Sequence, residues 1–397
     1  MPEAQQGAPR PLRTTGRARL IPMRPRDPHE QGRAASTLEL FFDLVFVVAV
    51  SIASVQLHHA LAEGHVGQGI LDYAIVFFGI WWAWMNFSWF ATSFDNDDWL
   101  YRVLTILQMG GVLVFASGIP AVFERYDFTV LIIGYVVMRL AMVAQWLRAT
   151  RSGGVAGRAA WSYATGIAVV QALWLITLLL PSPAFQIAQV IMIGAEIAVP
   201  IIAERIGNTP WHPHHITERY GLFVLILLGE SLLGSANAIV EALGHTKDPA
   251  PLISLAALTL ITTASLWWLY FWPPHHHAIR SFASSLAYGY GHYLIFAAAG
   301  ALSAGIEIEI GVLAGHGELH PPLASFAYTV PVAVFVIGVW ALAIRPHGDI
   351  WVNVAVPLAG LAVLIDPVIP IPFALTSVIL ALMIAVLVWR RPQRRLE

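Results

Sequence analysis

Stretches of about twenty apolar residues recur twelve times along this chain, and that recurrence constrains the fold more than any single motif. A helix rising about 1.5 Å per residue needs roughly 20 such residues to cross a hydrocarbon core about 30 Å thick. The runs lie at 38–61, 70–92, 100–123, 128–149, 159–180, 184–203, 215–243, 250–272, 284–311, 323–344, 350–365 and 370–389, the eleventh being short and interrupted by Pro357. Of 397 residues 57% are hydrophobic and only 12% charged, too few charges to cover a soluble protein of this length. The expected fold is therefore an all-α polytopic membrane protein with about twelve transmembrane helices.

Arginine placement sets the orientation. With the N-terminus inside, the inner segments carry Arg10 to Arg33, Arg102, Arg148, Arg151, Arg158, Arg205, Arg219, Arg280, Arg345 and Arg390 to Arg395, while the outer loops keep only Arg125 and Lys247. An odd number of spans would put an Arg-rich terminus outside, so an even count with both termini cytoplasmic is the consistent solution. Residues 1–37 have no apolar run and no signal-peptide pattern. They read as a basic, disordered tail held near the anionic inner leaflet, with the first hydrophobic helix directing insertion. Residues 390–397 form a second basic tail. The absence of Cys excludes disulfides, thiol catalysis and thiolate metal sites. The arginines flank membrane segments without a recognition motif, so a nucleic-acid partner is not expected.

The chain resembles itself at a spacing of roughly 180 to 190 residues, a period typical of internal duplication. Trp81-Trp82-Ala83-Trp84 is echoed by Trp267-Trp268-Leu269-Tyr270, Ala116-Ser117-Gly118-Ile119 by Ser303-Ala304-Gly305-Ile306, and Pro181-Ser182-Pro183 by Pro370-Ile371-Pro372. This suggests two six-helix halves, 38–203 and 215–389, in parallel repeat, joined by a cytoplasmic linker at 204–214.

Charges inside spans carry the functional signal, because a central charge costs about 2.5–3.5 kcal/mol to insert. Glu230 lies about twelve residues into the seventh run, on a stripe with Glu218, Gly234 and Asn237, and Gly234 leaves room for a neighbour one turn away. Arg139 and Glu196 count to a similar depth, which suggests a midplane cluster of one Arg and two Glu. Such a cluster is either a pathway or binding site, or a structural lock. Glu39 and Asp43 share a face where the first span opens. A helix-dipole role suits Glu39, and function suits the deeper Asp43. His212, His214 and His215, and His275 to His277, gather in two inner loops without the fixed helical spacing of a strong metal motif, so no metal is expected. The Trp clusters at 81–89 and 267–272 read as an interfacial belt. No phosphate loop, Walker motif or GxSxG elbow is present, and no cofactor is expected.

Glu39-Leu40-Phe41-Phe42-Asp43-Leu44-Val45-Phe46-Val47 resembles the opening signature of the bacterial low temperature requirement A family. His215-Ile216-Thr217-Glu218-Arg219-Tyr220-Gly221-Leu222-Phe223, running on to Leu228-Gly229-Glu230-Ser231, resembles its second. The resemblance implies a multi-spanning bacterial plasma-membrane protein. It marks Glu39, Asp43, His215, Glu218, Arg219, Gly221, Gly229 and Glu230, and carries no settled activity. The leading expectation is a secondary transporter for a small solute, ion or lipid, with Glu230, Arg139, Glu196 and Asp43 along its path and Glu218 and Arg219 anchoring a cytoplasmic gate. An intramembrane enzyme acting on a lipid or isoprenoid through His215, Glu218, Arg219 and Asp43 is the alternative. An ion channel and a purely structural role are the others.

Overall fold

A computed structural model of the chain describes residues 20–244, 249–313, 319, 322–369 and 373–390. Lys247, the Pro370–Pro372 echo and most of both basic tails lie outside the described residues. Among these residues there are twelve α-helices and no strands. They are α1 (Thr37–Ala62), α2 (Val66–Phe94), α3 (Trp99–Arg125), α4 (Thr129–Ala149), α5 (Gly154–Thr177), α6 (Ala184–Ile206), α7 (Pro213–Leu243), α8 (Ala250–Phe271), α9 (Phe282–Leu313), α10 (Leu323–Val339), α11 (Ile350–Ala362) and α12 (Ala374–Trp389). Short 3₁₀ or π turns continue α4, α10 and α11, and with them eleven segments are long and apolar enough to cross a bilayer. The twelfth, α12, is apolar but has only 16 residues. Exposed Leu44, Leu107, Ile187, Val190 and Leu260 put apolar side chains on the outside of the bundle, as a bilayer solvent requires.

Side chains that can cap a helix start several of them. Ser36 and Glu39 form a reciprocal capping box on α1, Asp98 caps α3, His212 caps α7 and Asp349 caps α11. Gly153 and Gly154, both at positive φ, make the tight turn from α4 into α5.

In the first six helices α1 packs on α2 and α3, α3 on α4, α4 on α5 and α5 on α6. In the last six α7 packs on α8 and α9, α9 on α10, α10 on α11 and α11 on α12. Small residues allow the closest approaches. A Cβ on Gly118 would lie 2.5 Å from the Leu131 nitrogen, and one on Gly305 would lie 2.4 Å from the Ala327 oxygen. The α1–α6 and α7–α12 groups meet where α1 and α2 pack against α7 and α9.

Contacts gather both described chain ends at one end of the bundle. Ile21 bonds to Asp98, Glu30 to His212, His214 stacks on His276, His277 meets His347 and Arg390 pairs with Asp349. The expected disordered tail does not extend to residue 37. Met23 and Arg33 are buried, and the Arg33 guanidinium donates to the carbonyls of Thr92 and Ala91 at the end of α2. The Thr92 carbonyl is among the last of α2 and the Ala91 carbonyl otherwise accepts only from the Asp95 N–H that caps the helix, so the arginine completes the helix end and is held rather than free.

Candidate functional site

Three groups of charged side chains lie inside the bundle, at different depths. The first joins α1 to α7 near the terminus-bearing end. Arg219, on the second turn of α7, is fully buried and donates from Nη1 to Glu39 Oε1 at 2.8 Å. It also donates from Nη2 to Asp43 Oδ1 at 2.5 Å and from Nε to Asp43 Oδ2 at 3.2 Å. The planar guanidinium is suited to such a fork, and burial without these partners would be prohibitive. Trp84 Nε1 donates to Asp43 Oδ1 at 2.7 Å, and the Ser36 backbone N–H donates to Glu39 Oε2 at 2.8 Å. His215, one turn before Arg219, places Nε2 3.3 Å from Glu39 Oε1 and is 0% exposed. Two carboxylates and one guanidinium carry one excess negative charge. The node is neutral only when a proton is shared among Glu39, Asp43 and His215.

The second group sits in the middle of the first six helices. Glu196 of α6 accepts from Arg139 Nη2 at 2.9 Å, from Trp82 Nε1 at 2.9 Å and from Gln171 Nε2 at 2.7 Å. One Arg and one Glu balance, and four helices are tied together around a carboxylate with no exposure.

Glu230 does not belong to that cluster. Helix α7 begins at Pro213 and packs on α1, α2, α8 and α9, so Glu230 is about 17 residues, or about 26 Å, along it rather than about twelve residues, and lies toward the far end of the bundle. There it is half-buried and acts electrostatically on Glu307 of α9. A Cβ on Gly234 would lie 3.1 Å from Glu307 Oε1, and His58 Nδ1 of α1 is 3.5 Å from Glu307 Oε2. The glycine one turn from Glu230 does leave room for a neighbour, and the neighbour is another carboxylate. Asn237 and Glu218 are exposed, so Glu218 shares neither the Arg219 node nor a cleft with His215. Gly221 lies against the ring of Phe271, and Gly229 has open space beside it.

The tryptophans overturn the reading of residues 81–89 as an interfacial belt. Trp82 and Trp84 are fully buried, and each spends its indole N–H on a buried carboxylate. Trp267 and Trp268, each 44% exposed, do face outward. Trp82, Trp84 and Gln171 thus belong to the charged groups, as do His58 and Glu307. Glu307 was legible, since it sits within an apolar run; the indoles were not, because Trp82 and Trp84 lie in the middle of α2 rather than at its inner end, and a Trp looks the same in sequence whether it faces lipid or core.

Above the Arg219 node, the terminus-bearing end opens into a vestibule of about 930 Å³ bordered by Arg33, Trp211, His212, His214 and Arg280. Asp95, in the loop after α2, is pushed up to about 6, by burial first and by repulsion from Glu39 second. His275, in the loop after α8, is pushed down to about 4 by burial, while it bonds to the Tyr270 carbonyl at 2.6 Å. Among the described residues no three His, Asp or Glu side chains converge as a metal-ligand set.

The family model for the bacterial low temperature requirement A protein (LtrA) matches residues 34–389. The chain belongs to the LtrA family. It is also 28% identical over 247 residues to a protein of Rhizobium meliloti (strain 1021) described as "Uncharacterized protein RA0937". That match covers 60% of this chain and 58% of the relative, so the chain spans less than two thirds of the curated relative it matches. Within this LtrA chain both signature segments meet at one point, because Glu39 and Asp43 of the first hold Arg219 of the second.

Proposed function

We propose that this LtrA protein is a proton-linked secondary transporter of the bacterial plasma membrane, built as two six-helix halves in parallel repeat with both termini cytoplasmic. The similar succession of helix neighbours in α1–α6 and α7–α12 supports the repeat, as does the matching close approach at Gly118 and Gly305. The arginine distribution supports the orientation.

The observation that carries the reading is the Arg219 node. It fastens the first helix of one half to the first helix of the other, toward the end of the bundle that carries the vestibule, through groups that share an odd charge. A bond of that kind suits a gate, since adding or removing one proton changes its neutrality and hence its strength inside a low-dielectric bundle. Glu39, Asp43, His215 and Arg219 are the gate. Glu230 of α7 and Glu307 of α9, with His58 of α1, form a second proton-accepting group toward the opposite face. Arg139 and Glu196, balanced one to one, brace the first half rather than carry solute. Uphill movement would draw on an ion gradient.

The natural lack of cysteine provides the test. Ser231 of α7 is buried three turns beyond Arg219 and donates to Ala299 of α9, so Ser231→Cys is nearly isosteric. Membrane-impermeant thiol reagent, applied to oriented vesicles from the terminus-bearing side, should label it slowly at neutral pH. Labelling should speed up at least about tenfold on acidification or with Arg219→Gln. Unchanged labelling in both arms, from a protein that still elutes as a folded species, would rule out the gate.

A further inference from the structure

Beside the vestibule lies a second, more enclosed cavity of about 50 Å³, between α2, α4, α5, α6 and α9. Six aromatic side chains border it: Trp89, Trp146, Tyr163, Trp211, Phe282 and Tyr290. It shares Thr209 and Trp211 with the vestibule, so it is reached from the terminus-bearing end. No Lys, Arg or His is among its lining residues, and the only charged one is Glu204. Glu204 Oε1 accepts from Tyr163 Oη at 3.0 Å and from Thr209 Oγ1 at 2.7 Å, and Oε2 accepts from the Thr209 backbone N–H at 3.1 Å. Three donors hold this carboxylate, while no cationic side chain among the described residues lies within ion-pair distance of it. Arg205, its neighbour in sequence, is exposed on another side of α6.

An anion held against a wall of aromatic rings, with no protein cation to balance it, fits one class of ligand. Aromatic faces attract desolvated, diffuse positive charge, whereas the water-filled vestibule alone would suit any solute. The volume exceeds the roughly 10–15 Å³ of probe space that one water needs, and is enough for a compact head group.

We infer that this cavity binds a small organic cation, a quaternary or tertiary ammonium group, with Glu204 supplying the counter-charge and Trp89, Trp146 and Trp211 the aromatic wall. The inference deepens the transport reading by naming a substrate class, but its test measures binding and needs no gate to move. Purified full-length protein in detergent is titrated with choline and, separately, with 3,3-dimethyl-1-butanol, its uncharged carbon isostere, following tryptophan fluorescence and isothermal heat. The expected result is saturable binding of choline with quenching and none of the alcohol at equal concentration. Glu204→Gln should weaken choline at least about tenfold. Trp211→Phe, in a loop and mild for folding, should lower the quench while retaining binding. Equal binding of choline and the alcohol, or no binding of choline by the unaltered protein, overturns the inference. Neither result bears on Ser231 labelling, so failure here and failure of the gate remain distinguishable.

Discussion

Arg219 is the residue on which most depends. Its removal leaves Glu39 and Asp43 buried beside each other without a counter-charge, and breaking a buried ion pair from one side typically costs about 3–5 kcal/mol. Arg219→Ala should therefore lower the melting temperature of the purified protein strongly. The triple change Arg219→Met, Glu39→Gln, Asp43→Asn should recover much of that loss, because no isolated charge then remains. A melting temperature for Arg219→Ala equal to that of the unaltered protein would show that the node bears no load. Arg219→Lys should fall between, since an ammonium cannot reproduce the fork that bonds Asp43 through two nitrogens. His275 gives a separate expectation. Its folded value of about 4 lies below the ordinary 6.5, so the unfolded chain binds the extra proton first. Its contribution is fully present above about pH 6.5 and is lost as pH falls toward 4. Melting curves recorded across that window should show a slope that His275→Gln reduces; an unaltered slope would assign the acid sensitivity elsewhere. Asp95, raised to about 6, acts in the opposite sense, its contribution being lost as pH rises through that value.

Helices here pack against each other without a strong hydrophobic drive, since the lipid is as apolar as the core, so close backbone approach matters. At Gly134 a Cβ would sit 2.2 Å from the Phe115 nitrogen on α3. Gly134→Ala should separate α3 from α4 and lower thermal stability by about 1–3 kcal/mol, the usual range for overpacking. Gly229 sits in α7 with nothing within 4 Å of a built Cβ. Gly229→Ala should raise stability by up to about 1 kcal/mol through helix propensity. Thermal melts of the two variants check both signs. If Gly229→Ala instead destabilises, the space beside it is filled in the membrane. Glu39 shows how one side chain serves two elements. It completes the capping box of α1 and also binds Arg219 of α7, so its dipole role and its ionic role are not alternatives.

Across the whole molecule, the gathering of the described N-terminal segment and Arg390 at one end agrees with an even number of crossings. Single cysteines at exposed Glu63, between α1 and α2, and at exposed Arg280, before α9, should label from opposite sides of the membrane. Labelling from the same side would mean that the helices do not alternate as the twelve-crossing arrangement requires. The two charged groups that join the α1–α6 helices to the α7–α12 helices, Arg219 with Glu39 and Asp43 and His58 with Glu307, lie toward opposite ends of the α1–α7–α9 contact.

Helix number, helix identity and the family were legible along the chain, because each run of apolar residues reports its own need to leave water and each signature is contiguous. That Arg139 and Glu196 share a level was legible by counting along their spans, and the two pair at 2.9 Å. What the sequence could not decide was direction around each helix axis and the true start of each helix. Glu230, expected about twelve residues in and level with Arg139, is about 17 residues along α7 and faces Glu307. Trp82 and Trp84 point about 200° apart around α2, so it is the place of α2 between other helices that lets one meet Glu196 and the other Asp43. Such choices are settled by which buried charges must find partners, and in a bundle those partners come from other helices, 57 residues away for Arg139 and Glu196 and 180 for Arg219 and Glu39.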